Sequence, residues 1–230
     1  MLLFSALDWI ALACFAGAWA FYAIIVEWTP LGRRTLNTLM HRYRLIWMRQ
    51  MLGREMRMVD AQIVASLQNG SAFFASTSLI AVGGALTVMR ASDELLHLLT
   101  ALPFDTGTTR VQWEAKVLGL AVIFVYAFFK FAWAYRLFNY VAILVGAAPP
   151  VNEQRTPLAQ HHAVRCARLI EAAGTHFNRG QRAFFFALGY LGWFLGPWAL
   201  IGSTAAVFAV MLHRQLLSDS QRALAEEDPK

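Results

Sequence analysis

The chain has 230 residues, of which 58% are hydrophobic and 15% charged, and its mean hydropathy is +0.46. A soluble domain carries about 25% charged and about 45–50% apolar residues, so this composition excludes an ordinary water-soluble domain and makes lipid the solvent for much of the chain. The formal charge of +6 comes from arginines lying between long apolar runs, which speaks for membrane orientation, and no nucleic acid partner is expected.

A membrane-crossing helix needs about 20 mostly apolar residues. Four segments qualify, 8–28, 71–90, 117–146 and 183–211. The expected fold is therefore all-α: a polytopic membrane protein with four transmembrane helices and no separate soluble domain. The first segment resembles a signal peptide at Ala18-Trp19-Ala20. It lacks a positive n-region, Asp8 is its only early charge, and its apolar run continues to Val26, so a retained helix is expected.

The segments between the spans carry the orientation. Segment 29–70 has seven arginines (33, 34, 42, 44, 49, 54, 57) against Glu55 and Asp60. Segment 147–182 has five arginines against Glu153 and Glu171. The stretch 90–116 and the tail 212–230 each hold three basic and four acidic residues. Basic residues collect in cytoplasmic loops. This predicts a multi-pass membrane protein with 29–70 and 147–182 inside and with both termini, the loop 91–116 and the tail 212–230 outside. Trp9, Trp28 and Trp113 fall at the expected interfaces, whereas Trp19, Trp133 and Trp193 read as packing residues.

Both cytoplasmic segments are expected to be helical. In 35–52, Leu36, Leu39, Met40, Tyr43, Ile46, Trp47 and Met51 recur at three- and four-residue spacing, an amphipathic pattern. Gly53 interrupts it, and 54–69 resumes toward the second span. Thr156-Pro157 makes an N-cap with proline in the first turn; Gly174 is read as the end of that helix and Thr175 as the cap of the fourth span. Each half thus reads as span, cytoplasmic helix, span, or two similar helical hairpins. Ala18-Trp19-Ala20-Phe21 against Ala132-Trp133-Ala134-Tyr135 hints at a duplication.

The third span holds the chemistry. Tyr126, Lys130, Trp133, Arg136 and Tyr140 fall on one helical stripe. A cation at the bilayer centre costs at least about 2.5–3.5 kcal/mol, more than the about 0.5–2 kcal/mol of a cation–π contact. Two readings stand: a ligand or ion site on that stripe, or snorkelling and pairing, with Glu27 as the ion-pair partner of either cation. Gly192 and Gly196 form a G-x-x-x-G pair suited to close packing, and Pro197 is expected to kink the fourth span. His161, His162, Cys166, Glu171 and His176 have metal-ligand side chains but no defined zinc spacing, so neither a metal nor a cofactor is expected. Cys14 and Cys166 are too far apart in the topology for a disulfide. No nucleophile elbow, H-E-x-x-H, C-x-x-C or phosphate-binding glycine loop is present.

The run Tyr126-Ala127-Phe128-Phe129-Lys130-Phe131-Ala132-Trp133, continuing through Arg136 to Asn139-Tyr140, resembles the signature of a family of bacterial and plant membrane proteins catalogued as domain of unknown function 599. Phe73-Phe74-Ala75-Ser76-Thr77 and His176-Phe177-Asn178-Arg179-Gly180 match the same family in order. The resemblance spans about 30–200 and implies a four-span integral membrane protein, expected in a bacterial inner (cytoplasmic) membrane, without an assigned activity. It directs attention to Lys130, Arg136, Asn139, His176, Asn178 and Arg179; Gln181 and the aromatic run after it depart from the pattern.

Function is read three ways. The first is a small oligomeric channel or transporter-like protein with a cationic intramembrane site. The second is an accessory or scaffold subunit of a larger membrane complex, and the weakest is a membrane enzyme using the cytoplasmic His/Glu residues. The expected partners are the bilayer, including anionic lipid headgroups, and either further copies of the chain or other membrane subunits.

Overall fold

In the computed structural model the residues described are 3–29, 36–92, 94 and 108–216. They form α1 (Ala6–Trp28), α2 (Leu36–Leu52), α3 (Met58–Arg90), α4 (Arg110–Gly146), α5 (Pro157–Tyr190) and α6 (Pro197–Leu216), with no strand among them. Three of these helices, α1, α3 and α4, are long and apolar enough to cross a membrane. Residues 30–35, most of the 91–107 stretch and the tail beyond Leu216 lie outside the described residues.

Local chemistry explains most boundaries. The Ser5 hydroxyl accepts from the Asp8 amide at 3.1 Å while Asp8 Oδ2 accepts from the Ser5 amide at 3.2 Å, a reciprocal cap that starts α1. Thr109 and Gln112 repeat the device at the start of α4. Thr156 caps α5 with Pro157 in the first turn, as the sequence indicates. The chain breaks after Leu52, and α3 then runs without interruption from Met58 through Gly83-Gly84 to Arg90.

Two expectations are corrected. Gly174 does not end a helix: α5 runs straight from Pro157 to Tyr190. A mid-helix glycine costs about 1 kcal/mol, but here it admits the Arg44 guanidinium, which would lie 3.2 Å from an added Cβ. Nor is 183–211 one helix. After Tyr190 the chain tightens into a 3-10 turn over Leu191–Leu195 and reverses at Gly196, whose φ of 125° is the only positive φ among the described residues. Proline at the first position of α6 then begins a new helix rather than kinking an old one. The reversal is documented by contacts: Ser203 Oγ donates to the Gly189 carbonyl at 2.5 Å, and a Cβ on Gly192 would lie 2.6 Å from the Ala199 carbonyl oxygen. Gly192 serves close packing, as read from sequence; Gly196 serves the turn.

The helices share two cores. One is aromatic, with Phe15, Tyr22, Phe124, Phe131, Phe186, Tyr190 and Trp193 drawn from α1, α4, α5 and the turn. Trp19 stacks on Phe186 at 5.4 Å between centroids, and Phe208 of α6 meets Phe21 and Tyr22. The second lies toward the arginine-rich end, where Met48, Met51, Val64, Phe138, Val141, Cys166 and Ile170 unite α2, α3, α4 and α5. Helix α4 is about 55 Å long at about 1.5 Å per residue, beyond a hydrocarbon core of about 30 Å, so the helices necessarily project. Polar ties fix the projecting part. Buried Asp60 accepts from Trp47 Nε1 at 2.7 Å and from Arg54, Arg57 donates to the carbonyls of Ala148 and Pro149, and Gln68 donates to Asn139.

The two halves are not similar hairpins. The most extensive pairing, α3 with α4, joins them; α1 packs on α6, and the α5–α6 hairpin has no counterpart in the first half. Trp113, expected at an interface, is buried against Phe194 at 4.9 Å, whereas Trp28 stays 84% exposed.

Candidate ligand site at the arginine-rich end

Because α5 runs antiparallel to α1, the last turn of α1 meets the middle of α5. Glu27 there receives Arg179 through two bonds, Nε to Oε1 at 3.1 Å and Nη2 to Oε2 at 2.7 Å, and Arg182 Nη2 at 2.8 Å. Such forked, charge-assisted contacts fix orientation as well as energy. Neither Lys130 nor Arg136 pairs with Glu27, which corrects the sequence expectation. The side chains chosen instead stand three residues apart on one face of α5.

The stripe on α4 is intact but serves its own surface. Lys130 lies 5.1 Å from the Tyr126 ring centroid and is half-buried. Arg136 is exposed, donates to the Tyr140 hydroxyl at 2.8 Å and stands over Trp133 and Tyr140. Phe131 packs on Gly180 and Phe177, which sets Lys130 at the level of Arg179 and Arg182. From Asp8 to Glu27 the helix rises about 28 Å, close to a hydrocarbon thickness. Lys130 and Glu27 therefore mark one boundary of an apolar slab, and Arg136 lies about 9 Å beyond it.

Two cavities of this region meet at Asn178. The larger, of about 440 Å³, is bounded by Glu27, His41, Arg44, Glu171, Arg179 and Arg182, with Asn178 on its wall. The smaller, of about 240 Å³, lies between α1, α5 and α6. His41 Nδ1 sits 2.9 Å from Glu171. Burial pulls the Arg44 pKa down, against the opposing charge of Glu171. His176 is held below the ordinary histidine range by burial first and then by Lys130 and Arg179; its Nδ1 is buried without a partner, and its ring faces Trp133 at 6.3 Å. His176, Asn178 and Arg179 thus adjoin the site; Arg44 and Arg182 were read only as topological charge, and His41 was not singled out. A signal was available for Arg182: it shares a helical face with Arg179, opposite the acid in the last turn of α1.

At the other end of the slab Asp8 and Lys116 also border a cavity, of about 440 Å³, but their charges are tied to each other through Trp193. Buried Lys116 donates to the Trp193 carbonyl at 2.9 Å, and Trp193 Nε1 donates to Asp8 Oδ1 at 2.8 Å. The aromatic core lies between the two ends.

The histidines, cysteine and glutamate with metal-ligand character are dispersed. His162 bonds the Leu144 carbonyl at 2.8 Å, Glu171 pairs with His41, and burial raises the Cys166 thiol to about 11. Among the described residues no three His, Cys, Asp or Glu side chains are grouped to hold a metal ion.

No curated protein and no solved structure matches the chain. The family model described as protein of unknown function, DUF599, matches residues 10–220, nearly the whole of α1 through α6. With that match over most of its length, the chain belongs to the DUF599 family.

Proposed function

We propose that this protein is a transporter-like integral membrane protein whose anionic cargo enters the arginine-lined cavity from the cytoplasmic side. The observation that carries the reading is the asymmetry of the slab. Both ends hold a cavity of about 440 Å³, but Asp8 and Lys116 of one are tied through Trp193 while Arg44, Arg179 and Arg182 line the other, and the aromatic core lies between them. Such a chain offers surplus positive charge on one side only, with apolar packing between the two ends, as a carrier for an anion requires. The positive-inside bias makes the arginine-rich end cytoplasmic.

The α5–α6 hairpin lies beside α1 and spans the same levels, Arg182 near Glu27 and Trp193 near Asp8. The reading is therefore five crossings rather than four, by α1, α3, α4, the end of α5, and α6. It places Ser5 outside and Arg214 inside, in a bacterial inner membrane, with Lys130 and Arg136 at the headgroups of anionic lipids. A conducting path calls for several copies, since so few helices enclose little space.

Flux of chloride, sulfate and phosphate into liposomes bearing the full chain tests this. Arg182→Ala is expected to lower flux tenfold or more, and Lys130→Ala and Arg136→Ala to change it little. Wild-type flux equal to that of empty liposomes contradicts the reading.

A second reading, an accessory subunit, is favoured by one surface. Met56, Met58 and Val59 are 72%, 71% and 63% exposed, yet lie about 24 Å of helix beyond the Lys130 level. Lipid does not reach there, and exposed methionines suit adaptable protein contacts. Purification in mild detergent with a constant stoichiometric partner supports this reading; a homogeneous homo-oligomer counts against it.

A further inference from the structure

We propose that the smaller cavity, between α1, α5 and α6, binds a phosphate group. It exists because α6 folds back along α5, and it goes beyond the transport reading, which uses the larger cavity. Its volume is about 240 Å³ and its polar wall is made by Tyr22, Asn178, Gln181, Arg182, Arg214 and Gln215, with no carboxylate among the lining residues.

Arg182 is the first anchor. Its side chain is 7% exposed, it stands 5.4 Å from the Tyr22 ring, and Nη2 is taken by Glu27. Its Nε is buried with no partner. A buried donor of this kind is costly unless an acceptor reaches it. Arg214 is the second anchor, lying over the Phe185 ring at 5.7 Å with no ion pair among the described residues. Gln215 touches the Tyr22 hydroxyl, and its Oε1 lacks a donor, so a half-turn of the amide would present its NH₂ to an anion.

Charge selects the ligand. Arg182 and Arg214 line the cavity, and the neighbouring Glu27 is shared by Arg182 with Arg179, so three guanidinium groups stand near one carboxylate, a surplus of two positive charges. A phosphate monoester carries about −1.5 to −2 at neutral pH, and guanidinium forks match its oxygens. The donors reach the cavity from three helices, which suits a tetrahedral oxyanion better than a planar carboxylate. The cavity lies at the level of Glu27, where headgroup phosphates of the bilayer lie and where a soluble phosphate also has access.

Arg214 and Gln215 line this cavity and not the larger one, so Arg214→Gln isolates it. The full chain is melted in phosphatidylcholine nanodiscs with inorganic phosphate against chloride at equal ionic strength, and in nanodiscs containing phosphatidylglycerol. The wild type is expected to melt higher with at least one phosphate probe; stabilisation by phosphatidylglycerol alone makes the source a lipid, and by inorganic phosphate alone a soluble anion. Arg214→Gln should weaken the effect about tenfold, the loss of one charge-assisted contact, with Gln181→Leu losing less. Arg168→Gln, on an exposed face of α5, should change nothing. No stabilisation by either probe, or equal binding by Arg214→Gln and Arg168→Gln, overturns the proposal.

Discussion

The two ends of the helical bundle treat charge in opposite ways. At the Asp8 end one acid and one lysine are joined through Trp193, all three turned inward and satisfied. At the arginine-rich end Glu27 is outnumbered: two guanidinium groups grip it, and Arg44 and Arg214 stand around the same cavities. A polar tie of balanced charges holds helices together and leaves no surplus charge, although a cavity adjoins it. A surplus of one sign costs self-repulsion and is relieved by a counter-ion. The contrast teaches where to look for binding: not at a buried and balanced charge such as Lys116, but where burial and surplus coincide, at Arg182.

Substitutions can break this contrast, and the largest effect is expected at the Asp8 end. Lys116→Ala removes a buried side chain and its bond to the Trp193 carbonyl, at an expected cost of about 2–4 kcal/mol, read by thermal melting in detergent. Anion binding should persist in the folded fraction.

The turn that sends α6 back toward the arginine-rich end comes next. An added Cβ at Gly192 meets the Ala199 carbonyl oxygen and Ser203 Oγ, whereas Gly202 has open space. Gly192→Ala is expected to destabilise by about 1–3 kcal/mol, and Gly202→Ala to stabilise by up to about 1 kcal/mol. Equal melting of the two variants would remove the hairpin from the account.

Glu27→Gln sharpens the contrast directly. It leaves Arg179 and Arg182 with a neutral partner, at a cost of about 1–2 kcal/mol, while raising the surplus charge. Melting temperature should fall in chloride and recover with phosphate to a greater extent than in the wild type.

The smallest effect concerns pH. His176 has a folded pKa below its unfolded value of about 6.5, so the unfolded chain takes up the proton first. Stability is then expected to fall as pH drops below about 6.5 and to level off once the folded histidine is also protonated. His176→Gln should flatten that slope between about pH 5 and 7, as followed by melting temperature.

The helices were legible where one local signal dominates. Thr156-Pro157 starts α5, the break follows Leu52 beside Gly53, and the spacing of Leu36 through Met51 yields α2. The reversal at Gly196 was hidden for a physical reason. Apolar residues run through the turn from Leu195 across Pro197 to Trp198, and proline reads equally as a kink or a helix start. Hydropathy measures lipid exposure, not direction. The site was half legible. Glu27 was recognised as a partner in search of a cation, but Lys130 and Arg136 drew attention because they interrupt an apolar run. Arg179 and Arg182 sit in a polar stretch where charge is ordinary. Only the antiparallel pairing of α1 and α5 brings them to Glu27.

The central claim is that α6 returns to the arginine-rich side, so that Ser5 and His213 face opposite sides of the membrane. Ser5→Cys, Arg42→Cys and His213→Cys, each in a Cys14→Ser background, are to be labelled with a membrane-impermeant maleimide in intact cells and after permeabilisation. All three positions are exposed, and buried Cys166, with its thiol raised to about 11, does not compete. The account predicts that Ser5→Cys reacts in intact cells and that Arg42→Cys and His213→Cys react only after permeabilisation. Labelling of His213→Cys together with Ser5→Cys in intact cells would contradict it.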